Sequence, residues 1–303
     1  MNNPKKQMQE VALLYYEKNL TQSEIAKIMN LSRQTVSKLL GDAIKENIVE
    51  IKIHDPEITC ADLEKEICKK FGITNAVVCG VSSDNPDLCR LVTVRRAGAY
   101  IKTLIESGNR KIAISWGNTI KALIDEFCEM KTENNTVFPL FGATDSEEAY
   151  YLSNELARSF ADKIDANVKY AWFPYKPDSF EDSKLFKKTS YYKKLSSLWD
   201  SIDIAIVGIG NKDIIKTFGE IFGYNEKSIS AIGDISTHFF DVNGNFVELY
   251  ENTLCASKEN LKNAKETIAV ACGKEKAQAI IGALKTGTVD TLITDEYTAR
   301  HII

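Results

Sequence analysis

From residue 75 onward the chain returns repeatedly to one pattern, a short apolar run that closes on glycine or a polar residue and gives way to helical spacing. The runs are NAVVCG, KIAISWG, TVFPLFG, KYAWFPY, IAIVGIG, AIGDI, TIAVACG and TLITD. Successive side chains of a strand point to opposite faces, so a strand that is apolar throughout has no side left for water. Alternating such strands with helices predicts an α/β fold with a mainly parallel sheet covered on both faces. In open sheets of this kind ligands settle at the carboxyl ends of the strands, where loops meet helix N-termini. The glycines and polar residues that close the runs are therefore the place to look for a site. The polar segment 176–194, rich in Lys and Ser and carrying Tyr191 and Tyr192, reads as a loop and helix beside it.

The first forty residues follow a different rule. LTQSEIAKIMNLSRQTVSKLL, residues 20–40, reads as two short helices joined by a tight turn, the layout of a DNA-binding helix-turn-helix. Ile25, Ala26, Met29, Leu31, Val36, Leu39 and Leu40 form one apolar face across the turn. Thr21 with Glu24 has capping-box spacing, and Ser32 stands where an N-cap would open the second helix. The opposite face carries Ser32, Arg33, Gln34, Thr35, Ser37 and Lys38, short hydrogen-bonding groups and two cations suited to phosphates and base edges. A plain helical hairpin with a solvated face is the competing reading.

Charge placement favours DNA. The whole chain of 303 residues has a formal net charge of -4, which argues against a protein coated in positive charge. Up to Leu40, however, Lys5, Lys6, Lys18, Lys27, Arg33 and Lys38 face only Glu10, Glu17 and Glu24. The excess is modest, so tight binding calls for two or more copies of this head. IVEIKIHDP, residues 48–56, alternates before a proline stop and reads as an arm of a β-wing; Ile58, Leu63, Ile67 and Phe71 then mark a connecting helix stopped by Gly72. The expected domains are a winged helix-turn-helix over 1–56, a linker helix over 57–72 and an effector domain over 73–303.

Cysteines 60, 68, 79, 89, 128, 255 and 272 form no CxxC pair, and the three histidines lie far apart. Neither a zinc site, another cofactor nor a disulfide framework is indicated. With no basic-then-apolar leader and no apolar run near the roughly twenty residues of a bilayer span, the expected location is cytoplasmic.

Among the run ends, ISW passes into Gly117, Asn118 and Thr119, and a helix begins at once. Backbone amides, a hydroxyl and the positive end of a helix dipole suit an anion, phosphate best, although Thr119 as a simple helix cap fits equally. FGATD offers Gly142 and Thr144, VGIGN offers Gly208 and Gly210, and GDI places Asp234 where a carboxylate could accept from sugar hydroxyls or serve as a cap. Lys276 falls in the first turn of a helix, where a cation opposes the dipole unless an anion binds. His238, beside Phe239 and Phe240, reads as a packed histidine, and no nucleophile–base–orienter set stands out.

With these segments in hand, the chain resembles the SorC family of bacterial sugar-sensing transcriptional regulators over nearly its whole length. The matching stretches are LTQSEIAKIMNLSRQTVSKLL, ISWGNT, VGIG, GDI followed by FFDVNG, AVACGKEKAQAI and LITDEYTA. The resemblance implies a winged helix-turn-helix joined to an effector domain related to sugar-phosphate isomerases and deaminases, binding a phosphorylated sugar and assembling as dimers or tetramers. It further implies that Gly117, Asn118 and Thr119 cradle the phosphate, that Asp234 and Lys276 contact the ligand, and that Gly142 and Asn154 belong to the pocket. Many relatives carry a glycine pair or an arginine where this chain has FGATD, so its sugar specificity is expected to differ. The expectation is a repressor of a carbohydrate-utilisation operon, with operator DNA as partner. The competing reading is an isomerase or deaminase of sugar phosphates with accessory N-terminal helices.

Overall fold

The computed structural model describes residues 4–51, 60–144, 153–223 and 226–303. The chain divides into two compact units, Met1–Glu57 and Ile58–Ile303.

The first unit is helical. α1 (Pro4–Ala12) runs on through a π-helical stretch, Leu13–Glu17, and is followed by α2 (Gln22–Met29) and α3 (Arg33–Lys45). The Thr21 hydroxyl accepts the Glu24 N–H while the Glu24 carboxylate accepts the Thr21 N–H at 2.8 Å, so α2 opens on a complete capping box. Asn30, in the left-handed region at φ 56°, ends α2 and turns the chain into α3. Every residue of the apolar face read from the sequence joins one cluster around Val11, Ile25, Val36 and Leu40. The helix that supplies Val11 was not foreseen, because 4–12 shows few apolar residues and its partners lie across the turn. The start of the expected wing is not a strand: Ile48 and Val49 both donate to Ala43 O and fold back on the end of α3. The remainder of that expected strand, 52–56, lies outside the described residues.

The second unit contains a parallel sheet in the order β1 (Asn75–Cys79), β10 (Thr291–Asp295), β9 (Glu266–Val270), β5 (Ile204–Gly210), β2 (Lys111–Ile114), β3 (Thr136–Pro139) and β4 (Asn167–Val168). Its strands alternate between two apolar layers. Ile204 and Ile206 of β5 face one side with Ile112, Ile268 and Ile293, beneath α5 (Pro86–Ile105), α6 (Asn118–Glu126) and α7 (Ser153–Ile164). Ala205 and Val207 face the other with Ala269 and Leu292, beneath α4 (Ala61–Phe71), α9 (Ser190–Trp199), α10 (Lys212–Phe222), α12 (Ala277–Lys285) and α13 (Glu296–Ile302). Each fully buried Ile or Val contributes roughly 1.5–3 kcal/mol, which is why these strands carry no polar side. The helix expected to connect the units, α4, inserts the fully buried Ile67 into this second layer.

Two runs behave differently from the rest. Regular pairing ends at Val168, and 169–175 continues as an extended segment: Pro174 lacks an N–H, and only an isolated bridge joins it to Ala143. GDI forms β6 (Gly233–Ile235), which runs antiparallel to the end of β5 and continues into β7 (His238–Phe240) and β8 (Phe246–Val247). Segment 176–194 is more ordered than a loop, forming α8 (Phe180–Lys188), capped by Ser179, and the start of α9, capped by Thr189.

Candidate functional site

On the first unit, Val36 and Leu40 turn inward and the other side of α3 is left to solvent. Ser32, Arg33, Gln34, Thr35, Ser37 and Lys38 are all exposed. Ser32 caps the helix by accepting Thr35 N–H at 3.0 Å, and its hydroxyl also pairs with that of Thr35 at 2.7 Å. Arg33 and Lys38 form no ion pair among the described residues and so keep their charge for a partner. Beside Arg33 lies a hollow lined by Tyr16, Gln22 and Ser23, which the sequence reading did not single out. Their signal is only positional: they stand next to the N-terminus of α2, facing the start of α3.

On the second unit, β2 and β5 are neighbours, yet the helices that follow them leave on opposite faces: α6 into the Ile204 layer, α10 into the Val207 layer. Divergence of this kind opens a crevice at the strands' carboxyl ends. A cavity of about 360 Å³ lies there, and Gly117, Asn118, Thr119, Asp234 and Lys276 all line it. Gly117 adopts φ 105° as the N-cap of α6 and no side chain caps the helix, so the alternative role of Thr119 as a cap is not observed. The first-turn amides and the helix dipole consequently face the cavity.

Asp234, 3% exposed, shares the lining with them, brought there by the antiparallel pairing of Gly210 with Asp234. A Cβ on Gly210 would sit 2.1 Å from the Asp234 carboxylate, so the GxG of VGIGN makes room for the acid. Burial pushes the carboxyl up to about 6, opposed by the hydrogen bond from Thr237 N–H (2.9 Å) and by the nearby charge of Lys276. Lys276 is the last residue of a single 3-10 turn, Lys274–Lys276, and the N-cap residue of α12; its ammonium donates to Ile209 O at 3.2 Å. Trp116 forms the apolar wall, packed edge-on against Phe218.

The cavity also contains Asn211, Asp213 and Thr217, which the sequence reading missed. Asn211 caps α10 through Asp213 N–H, and Thr217 follows one helical turn later. The faint signal was the NKD directly after VGIG, an Asx cap opening a helix at a strand end. Gly142 and Asn154 do not line this cavity. Gly142 donates to Leu254 O with its bare Cα against Pro174, and Asn154 spends both ends of its amide on Ala171, beside a separate hollow with Trp172. Chemically, the cavity offers helix amides and an ammonium suited to an anion together with carboxylate acceptors suited to hydroxyls.

Residues 55–303 match the sugar-binding domain family, and residues 5–46 match region 4 of the sigma-70 family. The sorbitol operon regulator of Klebsiella pneumoniae is 30% identical over 97% of this chain and 96% of its own length. The deoxyribonucleoside regulator of Bacillus subtilis (strain 168) is 27% identical over 100% and 99%. The crystal structure of the full-length Klebsiella pneumoniae regulator SorC superposes with a TM-score of 0.72 at 28% identity, covering 99% of each chain.

Proposed function

The chain belongs to the SorC family of bacterial sugar-sensing transcriptional regulators, and from that membership we propose that its effector is a phosphorylated sugar held in the cavity between β2 and β5. It is a DNA-binding regulator of a carbohydrate operon rather than an enzyme, as its relatives are. The observation that carries the effector reading is that an uncapped α6 N-terminus, Lys276 and Asp234 all line a single cavity. The phosphate would lie on the α6 amides, with Lys276 supplying the cation, and Asp234, Asp213 and Asn211 would accept or bridge the hydroxyls. Gly142 and Asn154 then act at one remove, by fixing the strand end and the extended segment next to the cavity.

In this reading the protein is a cytoplasmic repressor that works as a homodimer or homotetramer. Two reading heads would meet operator half-sites, with Arg33 and Lys38 on phosphates or guanine and Gln34, Thr35 and Ser37 near base edges. An effector that prefers one state by about 1–3 kcal/mol shifts operator affinity about five- to 150-fold. The test is titration of promoter DNA with and without a panel of sugar phosphates. Thr119→Val and Lys276→Ala should bind the duplex as the parent does and lose the effector response. An unchanged effector titration in both variants would remove the cavity from consideration.

A further inference from the structure

The effector cavity has a charge balance that a ligand must meet as a whole. Among the described residues that line it, Lys276 is the one cation, against the carboxylates of Asp213 and Asp234. We propose that the cavity accepts a sugar carrying a single phosphate and free hydroxyls elsewhere, and that Asp213 turns away bisphosphates and phosphorylated sugar acids. This rests on the reading of the cavity as a sugar-phosphate site.

Two helix N-termini open on the cavity, and only one is left for an anion. Gly117 gives α6 no side-chain cap, and the first turn of α6 holds no acidic residue. At α10 the reverse is found: Asn211 Oδ1 accepts the Asp213 N–H at 3.2 Å, and Asp213 places a carboxylate in the first turn, where it already answers the helix dipole. A phosphate monoester brings a charge of about −1.5 to −2 at pH 7. The free end of α6, worth about half a charge, and the Lys276 ammonium together match one such group and not two.

Hydrogen-bond polarity points the same way. The Asp213 carboxylate offers acceptors only, and Asn211 Nδ2 donates to its Oδ2 at 3.1 Å, which holds it in place. The Thr217 hydroxyl donates to Asp213 O at 3.2 Å, so what it has left for a ligand is lone pairs. Lys212 and Lys216, the cations flanking Asp213 on α10, are exposed and do not line the cavity. This part of the lining therefore asks for donors. A sugar hydroxyl donates, whereas the oxygens of a phosphate dianion or a carboxylate only accept. A second anion would meet like charge and unmatched acceptors together, which is selection by repulsion.

The experiment is calorimetry on the full chain at low ionic strength. The probes are inorganic phosphate, the monophosphate and bisphosphate esters of glucose, fructose and ribulose, and phosphogluconate. Asp213→Asn keeps the backbone N–H that Asn211 caps and removes the charge. At least one monophosphate should bind about tenfold more tightly than the bisphosphate of the same sugar, with phosphogluconate as poor as the bisphosphates. In Asp213→Asn that ratio should fall towards one. In the parent it should also shrink with salt, as the Debye length shortens from about 30 Å at 0.01 M to about 3 Å at 1 M, which tests the same repulsion without a substitution. A bisphosphate that binds as well as its monophosphate, or a ratio that Asp213→Asn leaves unchanged, would overturn the proposal and leave the phosphate site standing. If no probe binds, inorganic phosphate included, the effector reading itself fails.

Discussion

Asp234→Asn should make the second unit more stable at neutral pH while removing its effector response. The amide keeps an acceptor for Thr237 N–H and gives up only the ionisable group. Burial raises the carboxyl from 3.8 to about 6, so between those values the folded chain holds a proton that the unfolded chain has released. Stability from this group is therefore complete below pH 3.8 and is lost as the pH rises through about 6. A gap of about two units corresponds to about 3 kcal/mol. The stability of the variant relative to the parent should grow by that amount from about pH 4 to about pH 7. His238, whose buried ring also titrates abnormally, is common to both proteins and cancels. Urea melts followed by tryptophan fluorescence suit the test, since Trp116, Trp172 and Trp199 all lie in the second unit. A difference that stays flat with pH, or widens towards acid, would refute the assignment of Asp234 as a buried charge held for function.

Three other changes have defined outcomes. Gly142→Ala would place a Cβ 2.5 Å from the Pro174 carbonyl group and 2.6 Å from Tyr175 N, all backbone, and should lower the stability of the second unit by roughly 1–3 kcal/mol in the same melts. Thr21→Ala removes the capping box and should lower the stability of the first unit by about 1 kcal/mol, read by circular dichroism in thermal melts. Arg33→Ala and Lys38→Ala should each weaken promoter binding and reduce the slope of log affinity against log salt by about 1; a slope identical to the parent's would take that side chain off the phosphates.

The helix-turn-helix was legible because its rules are local. Thr21, Glu24 and Ser32 are caps within three residues of what they cap, and Ile25, Val36 and Leu40 repeat at helical spacing. The sheet was legible for a related reason, since strands buried on both faces must be apolar throughout, as IAIVGIG is. Strand order was not, because pairings such as β1 with β10 join residues with no local signature. The same limit applied at the site. Gly117, Asn118 and Thr119 are neighbours in sequence and could be read together, whereas Asp213 and Thr217 enter the cavity only because α10 leaves β5 on the opposite face from α6. KYAWFPY misled because its alternation, with Ala171, Phe173 and Tyr175 inward, is that of a strand, while Pro174 denies it a ladder.

The place of β1 governs how this protein must be made. It lies at one rim of the sheet with β10 as its partner, from Asn75 opposite Thr291 to Cys79 opposite Asp295. During translation, β1 emerges long before β10, and every strand between them is synthesised while its hydrogen-bonding edge waits. The second unit therefore cannot complete its core as the nascent chain leaves the ribosome. Its yield in the cell should depend on shielding of that early segment until residues 291–295 arrive, a demand the small helical first unit does not share.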